Sequence, residues 1–315
     1  MPQRVRHAGH APPAMEERMS TPFLSVLIPF HGDDPSALLD ALLVQADVGT
    51  DIILFDDGSP ATYVFERLSA HPGVLKGRVR VLRSDTNIQR SGARNALSDA
   101  ARGEWLLFLD ADMEVPDGFL ARWMALLEQA SFDAAYGGYL VPDTKSGQFA
   151  VHAALARAGD VGSAAARQAR GASAFAGSNM AVRARLMDQV RFDEAYRGWG
   201  WEDVDWAVRA AKAGRLAHVD NPAGHGGLQG VDRLIAKFAE GGINYARFLA
   251  RHPDQASLPG ARMARLLAQW RLFSAVQALA PALSRTRALP VRARVLALKA
   301  YKAACAAAAL KEVTP

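Results

Sequence analysis

This 315-residue sequence predicts an α/β architecture: a mainly parallel sheet flanked by helices, followed by a basic helical C-terminal tail. Three observations carry that prediction. Short apolar runs alternate four times with segments of helical periodicity between residues 24 and 109, the pattern of a parallel sheet covered on both faces. Each run ends in a cluster of polar turn formers. Charge is divided along the chain: residues 1–229 hold 23 Lys+Arg against 28 Asp+Glu, and residues 230–315 hold 14 against 4. Half the residues are hydrophobic and 22% are charged, which excludes a disordered chain, a collagen-like repeat and a coiled-coil rod. A single cysteine, Cys305, excludes an internal disulfide and a cysteine-based metal centre.

The elements follow in order. Residues 1–20 are polar, with Pro2, Pro12 and Pro13 and no apolar core, and read as a disordered leader rather than a signal peptide. Leu24-Ser25-Val26-Leu27-Ile28-Pro29-Phe30 reads as a buried strand. Leu38, Leu39, Leu42 and Leu43 fall at helical spacing. Ile52-Ile53-Leu54-Phe55 is a second strand, stopped by Asp56-Asp57-Gly58-Ser59-Pro60, and a helix follows to Ala70. Val79-Arg80-Val81-Leu82 is a third strand, residues 91–102 a helix, and Trp105-Leu106-Leu107-Phe108-Leu109 a fourth strand. Residues 143–170 are Ala-, Gly- and Arg-rich with weak periodicity, either a loop or an irregular helix. A strand is expected over 175–182, a helix over 202–213 ended by Gly214, and one helix over 231–251 broken by His252-Pro253. Beyond Leu258 the chain reads as helical, with breaks near Pro281 and Pro290. The expected division is a leader, residues 1–20, a catalytic domain, 21–252, and a basic extension, 253–315. No run of apolar residues is long enough to span a membrane.

In parallel sheets the ligand site lies at the carboxyl ends of the strands. The strand ends here carry His31-Gly32-Asp33-Asp34, Asp56-Asp57-Gly58-Ser59, Asp85-Thr86-Asn87 and Asp110-Ala111-Asp112. Two carboxylates two residues apart at a strand end suit a hard divalent cation. Gly198-Trp199-Gly200-Trp201-Glu202-Asp203 is the second unusual string. Acids capping a helix start would explain Glu202 or Asp203 but not the tryptophans, which suit stacking on a sugar ring; Asp203 suits a general base for an alcohol. His225 lies in a glycine-rich loop and becomes credible as a metal ligand only beside Asp110 and Asp112. His218 is its competitor.

Together, Leu24-Ser25-Val26-Leu27-Ile28-Pro29, Asp56-Asp57-Gly58-Ser59, Gly92-Ala93-Arg94-Asn95, Leu109-Asp110-Ala111-Asp112 and Gly200-Trp201-Glu202-Asp203 resemble glycosyltransferase family 2, with the GT-A fold. The Trp199–Asp203 string and His225 also look like its galactosyl- and N-acetylgalactosaminyltransferase branch. The resemblance implies that Pro29, Phe30 and His31 touch the nucleotide base, with Asp57 bonded to a uracil ring and Asp56 adjacent. It places Arg94 by the nucleotide side, Asp110 towards ribose and metal, and Asp112 and His225 on the metal, with Ala111 between the acids. Gly177-Ser178-Asn179 matches the acceptor-side strand. Asp203 is then the base, and Glu202, Trp201 and Trp199 shape the sugar pocket. Two positions depart from the family: His31-Gly32 replaces a tyrosine-asparagine, and Gln89 replaces a glycine.

The implied activity is inverting, metal-dependent transfer of a sugar from a nucleotide-diphosphate donor, UDP by expectation, with Mn²⁺ or Mg²⁺. The acceptor is a hydroxyl of a glycan, a lipid-linked saccharide or a protein. The rival is a glycan-binding or scaffold protein derived from a transferase, which would be expected to lose Asp112 or Asp203. Nucleic acid is not an expected partner, because Trp270, Phe273 and Tyr301 are too sparse on the basic tail. The expected location is cytoplasmic, at the inner face of the membrane if the tail meets lipid. Met263, Leu266, Leu267, Trp270 and Phe273 fall at helical spacing among Arg262, Arg265 and Arg271, which fits an interfacial helix or a helix packed on protein.

Overall fold

The computed structural model describes residues 6–7, 22–47, 49–142, 147–157 and 161–313. Its strands are β1 (Arg6–His7), β2 (Leu24–Phe30), β3 (Thr50–Asp56), β4 (Val79–Arg83), β5 (Trp105–Leu109), β6 (Met113–Glu114), β7 (Ala134–Tyr136), β8 (Tyr139–Leu140), β9 (Asn179–Arg183), β10 (Leu216–His218) and β11 (Ala223–His225). Its helices are α1 (Ser36–Gln45), α2 (Tyr63–Ser69), α3 (Pro72–Leu75), α4 (Gln89–Ala100), α5 (Phe119–Glu128), α6 (Ala150–Arg157), α7 (Ala164–Gln168), α8 (Ala184–Gln189), α9 (Glu202–Ala210), α10 (Val231–Glu240), α11 (Gly242–Arg251), α12 (Pro259–Gln269), α13 (Phe273–Arg285) and α14 (Val291–Val313).

The chain forms two compact units. The first comprises Met1–Leu140, Gly162–Glu194 and Trp206–Gly226; the second comprises Val141–Val161, Ala195–Asp205 and Gly227–Pro315. The boundary expected at residue 252 falls inside the second.

The first unit is built on an eight-stranded sheet of order β1-β4-β3-β2-β5-β9-β7-β10. The β4-β3-β2-β5 core is parallel, and β9 runs antiparallel between β5 and β7. The core strands are continuous apolar runs because helices cover both faces. Leu24, Val26, Ile28, Leu54 and Trp105 join one buried cluster, and Leu27, Ile53, Phe55 and Phe108 the other. Ser25 is the polar exception in β2. Its hydroxyl donates to Asp51 at 3.0 Å and accepts from the Gly103 amide at 2.9 Å, so this buried hydroxyl is satisfied as both donor and acceptor. Phe30 pairs in register with Asp56, and Asp56 with Arg83, so these strands end at one edge. Because β9 opposes β5, with Leu109 opposite Asn179, the start of β9 meets that same edge. A second, three-stranded sheet, β6-β11-β8, stands beside it.

The second unit is helical. Val151, Leu234, Ile235, Phe238, Val295 and Leu298 form its core, drawn from α6, α10 and α14. α14 packs on α11, α12 and α13. Its alanine-rich middle permits close approach, and a Cβ on Gly242 of α11 would lie 2.9 Å from the Cβ of Cys305. No helix among the described residues is long and apolar enough to cross a membrane.

Several expectations are corrected. The strand expected over 175–182 begins only at Asn179, because the chain turns at Gly177-Ser178. The single helix over 231–251 is two, parted at Gly241, where a Cβ would stand 2.5 Å from the Trp199 carbonyl oxygen. α13 runs through Pro281, which removes one backbone donor without ending the helix. The segment 261–273 is not one helix: α12 ends at Gln269, Arg271 turns left-handed at φ 54°, and Phe273 opens α13. Of the leader, Arg6–His7 pairs antiparallel with β4, and its other residues lie outside those described. Residues 143–170 contain α6 and α7, with 143–146 and 158–160 outside the described residues.

Candidate active site

The turn after β3 shows why Asp56-Asp57-Gly58-Ser59 is written as it is. Asp56 is buried, paired with Arg83 and bonded by the Ser59 amide at 2.9 Å. Gly58 sits at φ 64°, and a Cβ there would meet the Thr86 carbonyl carbon at 2.5 Å. Asp57 takes its amide bond to the Phe30 carbonyl at 2.9 Å, and its carboxylate accepts from the Ile88 amide at 2.6 Å. Burial pushes the Asp57 carboxyl up to about 6, against the pull of that amide and of His31. His31 Nδ1 lies 2.8 Å from the Asp57 carbonyl oxygen, and the Gly32 amide donates to Ser59 Oγ at 2.8 Å. Pro29, Phe30, His31, Asp56 and Asp57 are therefore one knot at the carboxyl ends of β2 and β3. Gln89, where the family has glycine, holds φ 70°, a conformation that glycine adopts with less strain.

Arg94 projects from α4 and is buried. It donates to Asp110 Oδ1 at 3.1 Å, and its guanidinium lies 5.5 Å from the Phe192 ring centroid. A Cβ on Gly177 would stand 2.6 Å from the guanidinium carbon, so any larger residue there requires Arg94 to move. The Asp110 amide donates to the Ser178 carbonyl at 3.3 Å, and the Ser178 hydroxyl is buried with no partner among the described residues. Asn179 is fully buried. Its amide donates to the Gly138 and Asn221 carbonyls at 2.8 Å each, and its oxygen accepts from Trp123 Nε1 at 3.1 Å.

His225 reaches this edge through the second sheet. β11 pairs antiparallel with β6, with His225 opposite Met113, and the Gly226 amide donates to the Asp112 carbonyl at 3.1 Å. His225 Nε2 then stands 3.7 Å from Asp112 Oδ2, with Tyr139 against its ring. Ala111, between the two acids, packs on the core of the sheet. Loss of water around its carboxyl, then the nearby charges of Asp110 and Asp33, hold Asp112 above the ordinary carboxylate range; His225 opposes them. Ligand atoms on one cation bonded at about 2.1 Å lie about 3–4 Å apart, and the Asp112–His225 separation fits that range. Asp110 faces Arg94 instead, and among the described residues no three His, Cys, Asp or Glu side chains converge tightly enough to hold a cation alone. His218, the competitor, is buried against Tyr136 and Phe175 with Nε2 at 3.0 Å from the Gly171 carbonyl oxygen.

Trp199, Trp201, Glu202 and Asp203 belong to the second unit. Trp201 holds φ 76°, rare for an aromatic residue, and is fixed by stacking on Tyr245 at 3.8 Å. The Lys302 ammonium lies 4.9 Å from the Trp201 ring and 5.6 Å from the Trp199 ring. At the start of α9, Glu202 is buried and Asp203 half-buried. Sequence reasoning missed Asp205, which is fully buried and accepts from Tyr196 and lies 2.8 Å from His252 Nε2. Its signal was present: Glu202 and Asp205 are three apart and share the inward face of the helix. Asp33, from the strand-end cluster His31-Gly32-Asp33-Asp34, adds negative charge at Asp112.

Comparison with known proteins gives a family, related sequences and related folds. The profile of "Glycosyl transferase family 2" matches residues 25–190. The amylovoran biosynthesis glycosyltransferase AmsB of Erwinia amylovora is 27% identical over 195 residues, 60% of this chain and 64% of that protein. An uncharacterized glycosyltransferase of Haemophilus influenzae is 33% identical over 91 residues, 28% of this chain and 29% of that one. The chain thus spans less than two thirds of the curated relatives it matches. Among solved structures, the mannosyltransferase PcManGT of Pyrobaculum calidifontis, in complex with GDP-Man and Mn²⁺, has TM-score 0.62 at 16% identity, covering 99% of this chain and 91% of that one. S. aureus TarS 1–349 in complex with UDP has TM-score 0.52 at 16% identity, covering 89% of each chain. These likenesses establish a shared fold.

Proposed function

Because the chain belongs to glycosyl transferase family 2, we propose that it moves a sugar from a UDP-linked donor to a hydroxyl acceptor, with inversion, in polysaccharide synthesis. One observation carries this reading: the β6–β11 ladder flanks the Asp110–Asp112 turn and stands His225 3.7 Å from Asp112. The biosynthetic role named for AmsB supports the polysaccharide assignment, the UDP complex of TarS supports the donor nucleotide, and the GDP-Man and Mn²⁺ complex of PcManGT supports a nucleotide-sugar donor and the cation. Galactose and N-acetylgalactosamine are the first sugars to try, on the strength of the Trp199–Asp203 string. The acceptor is a glycan or a lipid-linked or protein-borne saccharide.

His31, Pro29, Phe30 and Asp57 would hold the nucleotide base. Arg94 fixes Asp110 towards the ribose, and Asp112 and His225 would hold Mn²⁺ or Mg²⁺, the remaining ligands coming from the donor's diphosphate. That ion would supply charge neutralisation for the departing diphosphate. Asp203 takes the proton from the acceptor hydroxyl, whose oxygen attacks the anomeric carbon opposite the leaving group, so configuration inverts. Glu202 is the less suited of the two acids because it is buried, whereas Asp203 keeps contact with solvent.

The test is a screen of UDP- and GDP-sugars with Mn²⁺, reading nucleotide release. Asp112→Asn should cut turnover about a hundredfold or more while the fold persists. Asp203→Asn should do the same without weakening UDP–Mn²⁺ binding. Full turnover in excess EDTA would sink the cation's role, and near-native kcat in Asp203→Asn would pass the base role to Glu202.

A further inference from the structure

The second unit carries a surface that the catalytic reading does not use. α12 buries Ala261, Ala264 and Leu267 and turns Met263, Leu266 and Trp270 outward, 44%, 51% and 67% exposed. Leu267, which sequence spacing placed on the same stripe, is on the inner side. Arg262, Arg265 and Arg271 flank the exposed stripe and are themselves exposed. Past the left-handed turn at Arg271, α13 buries Ala280 and Ser284 and leaves Leu279 and Leu283 exposed, four residues apart on one face. Residues 255–311 hold ten Lys+Arg and no Asp or Glu.

We infer that the α12–α13 face docks on an anionic lipid surface. A helix lying in a membrane interface places Trp, Leu and Met at the acyl boundary while arginine side chains reach the headgroups. Anionic headgroups supply the negative charge that residues 255–311 lack. A second copy of the chain fits worse: face to face it would set arginine against arginine with no carboxylate from this segment to meet them. A single-stranded nucleic acid also fits worse, because the centre of the face is aliphatic, with Trp270 its one aromatic ring rather than a row of stacking rings. This inference does not depend on the donor or the acceptor assigned above.

The experiment uses the full chain with phosphatidylcholine vesicles, with and without phosphatidylglycerol, at low and high salt. Flotation should recover the protein with the anionic vesicles at least about tenfold better than with the neutral ones, and less at high salt. The double variant Leu266→Ser, Trp270→Ser and the triple variant Arg262→Gln, Arg265→Gln, Arg271→Gln should each lose most of that recovery. All five side chains are exposed, so melting temperature and nucleotide release should stay as in the parent. Brominated acyl chains should quench the fluorescence of the parent and not of Trp270→Phe, a change too small to disturb folding. Absence of binding to anionic vesicles overturns the inference, as does undiminished binding by either multiple variant. Sedimentation showing a dimer that the Leu266→Ser, Trp270→Ser pair dissociates would assign the face to a second copy. Binding to single-stranded RNA that needs the arginines but not Trp270 would assign it to nucleic acid.

Discussion

Gly177 and Arg94 show how a residue distant in sequence sets the geometry of the Asp110–Asp112 turn. The guanidinium is held between the Gly177 backbone, the Phe192 ring and Asp110. Gly177→Ala should push Arg94 off Asp110, lowering kcat about tenfold or more with far-UV circular dichroism unchanged. Unchanged kcat would make the glycine a matter of folding alone. Asp57 gives a prediction with a sign. Its carboxyl titrates near 6 in the folded chain and near 3.8 when unfolded, so between those values the folded state binds the extra proton. Stability from this group is therefore full below about pH 4 and falls as pH rises to about 6, by roughly 3 kcal/mol at most. Asp57→Asn keeps the acceptor for the Ile88 amide and removes the charge. Its urea midpoint should show a weaker fall over that window and exceed the parent's at pH 7.5; an identical pH profile would count against buried ionisation. At this scale the sequence was informative at Gly58, whose turn needs a positive φ. It named Arg94 through the family motif but not its partner, because an ion pair across 16 positions leaves no local pattern.

The long elements were legible and the short ones were not, for a physical reason. β2 and β5 are buried on both faces, so their apolar runs announce them, whereas β6, β8 and β11 have two or three residues each, too few to express any period. Yet the β6–β11 pair is what sets His225 beside Asp112, so the sequence alone could offer His225 only as a candidate in competition with His218. Helix α9 combines both cases. Its acids read as a capping pair or a catalytic pair, while Asp205, on the same helix, is a buried strut to Tyr196 and to His252 at the end of α11. Asp205→Ala should cost about 3 kcal/mol in urea unfolding, because it strands His252 and Tyr196 without their acceptor. Asp205→Asn keeps one acceptor and should cost about 1 kcal/mol. Equal losses in the two variants would point to packing rather than to these hydrogen bonds.

For the whole chain, the expected boundary at residue 252 rested on the local break at His252-Pro253. The compact units divide elsewhere because the second core joins Val151 to Leu298, a contact between distant segments that no local composition shift marks. The residues assigned to the donor, Asp57, Arg94, Asp110, Asp112 and His225, all belong to the first unit. A ligand that binds only the folded form stabilises it by about 2.7 kcal/mol at a hundred times its Kd. For a unit of this size that corresponds to a rise of roughly 5–10 °C in Tm. UDP with Mn²⁺ should therefore raise the melting transition of the sheet unit by that order, GDP with Mn²⁺ by much less, and UDP with EDTA by only a fraction. If the chain melts in two steps, the step that moves should be the one reported by the buried Trp105 and Trp123 of the sheet unit. In Asp112→Asn the added effect of Mn²⁺ should vanish while the effect of UDP alone remains. An equal shift by GDP would reassign the donor nucleotide, and an undiminished Mn²⁺ effect in Asp112→Asn would move the cation away from the β6–β11 ladder.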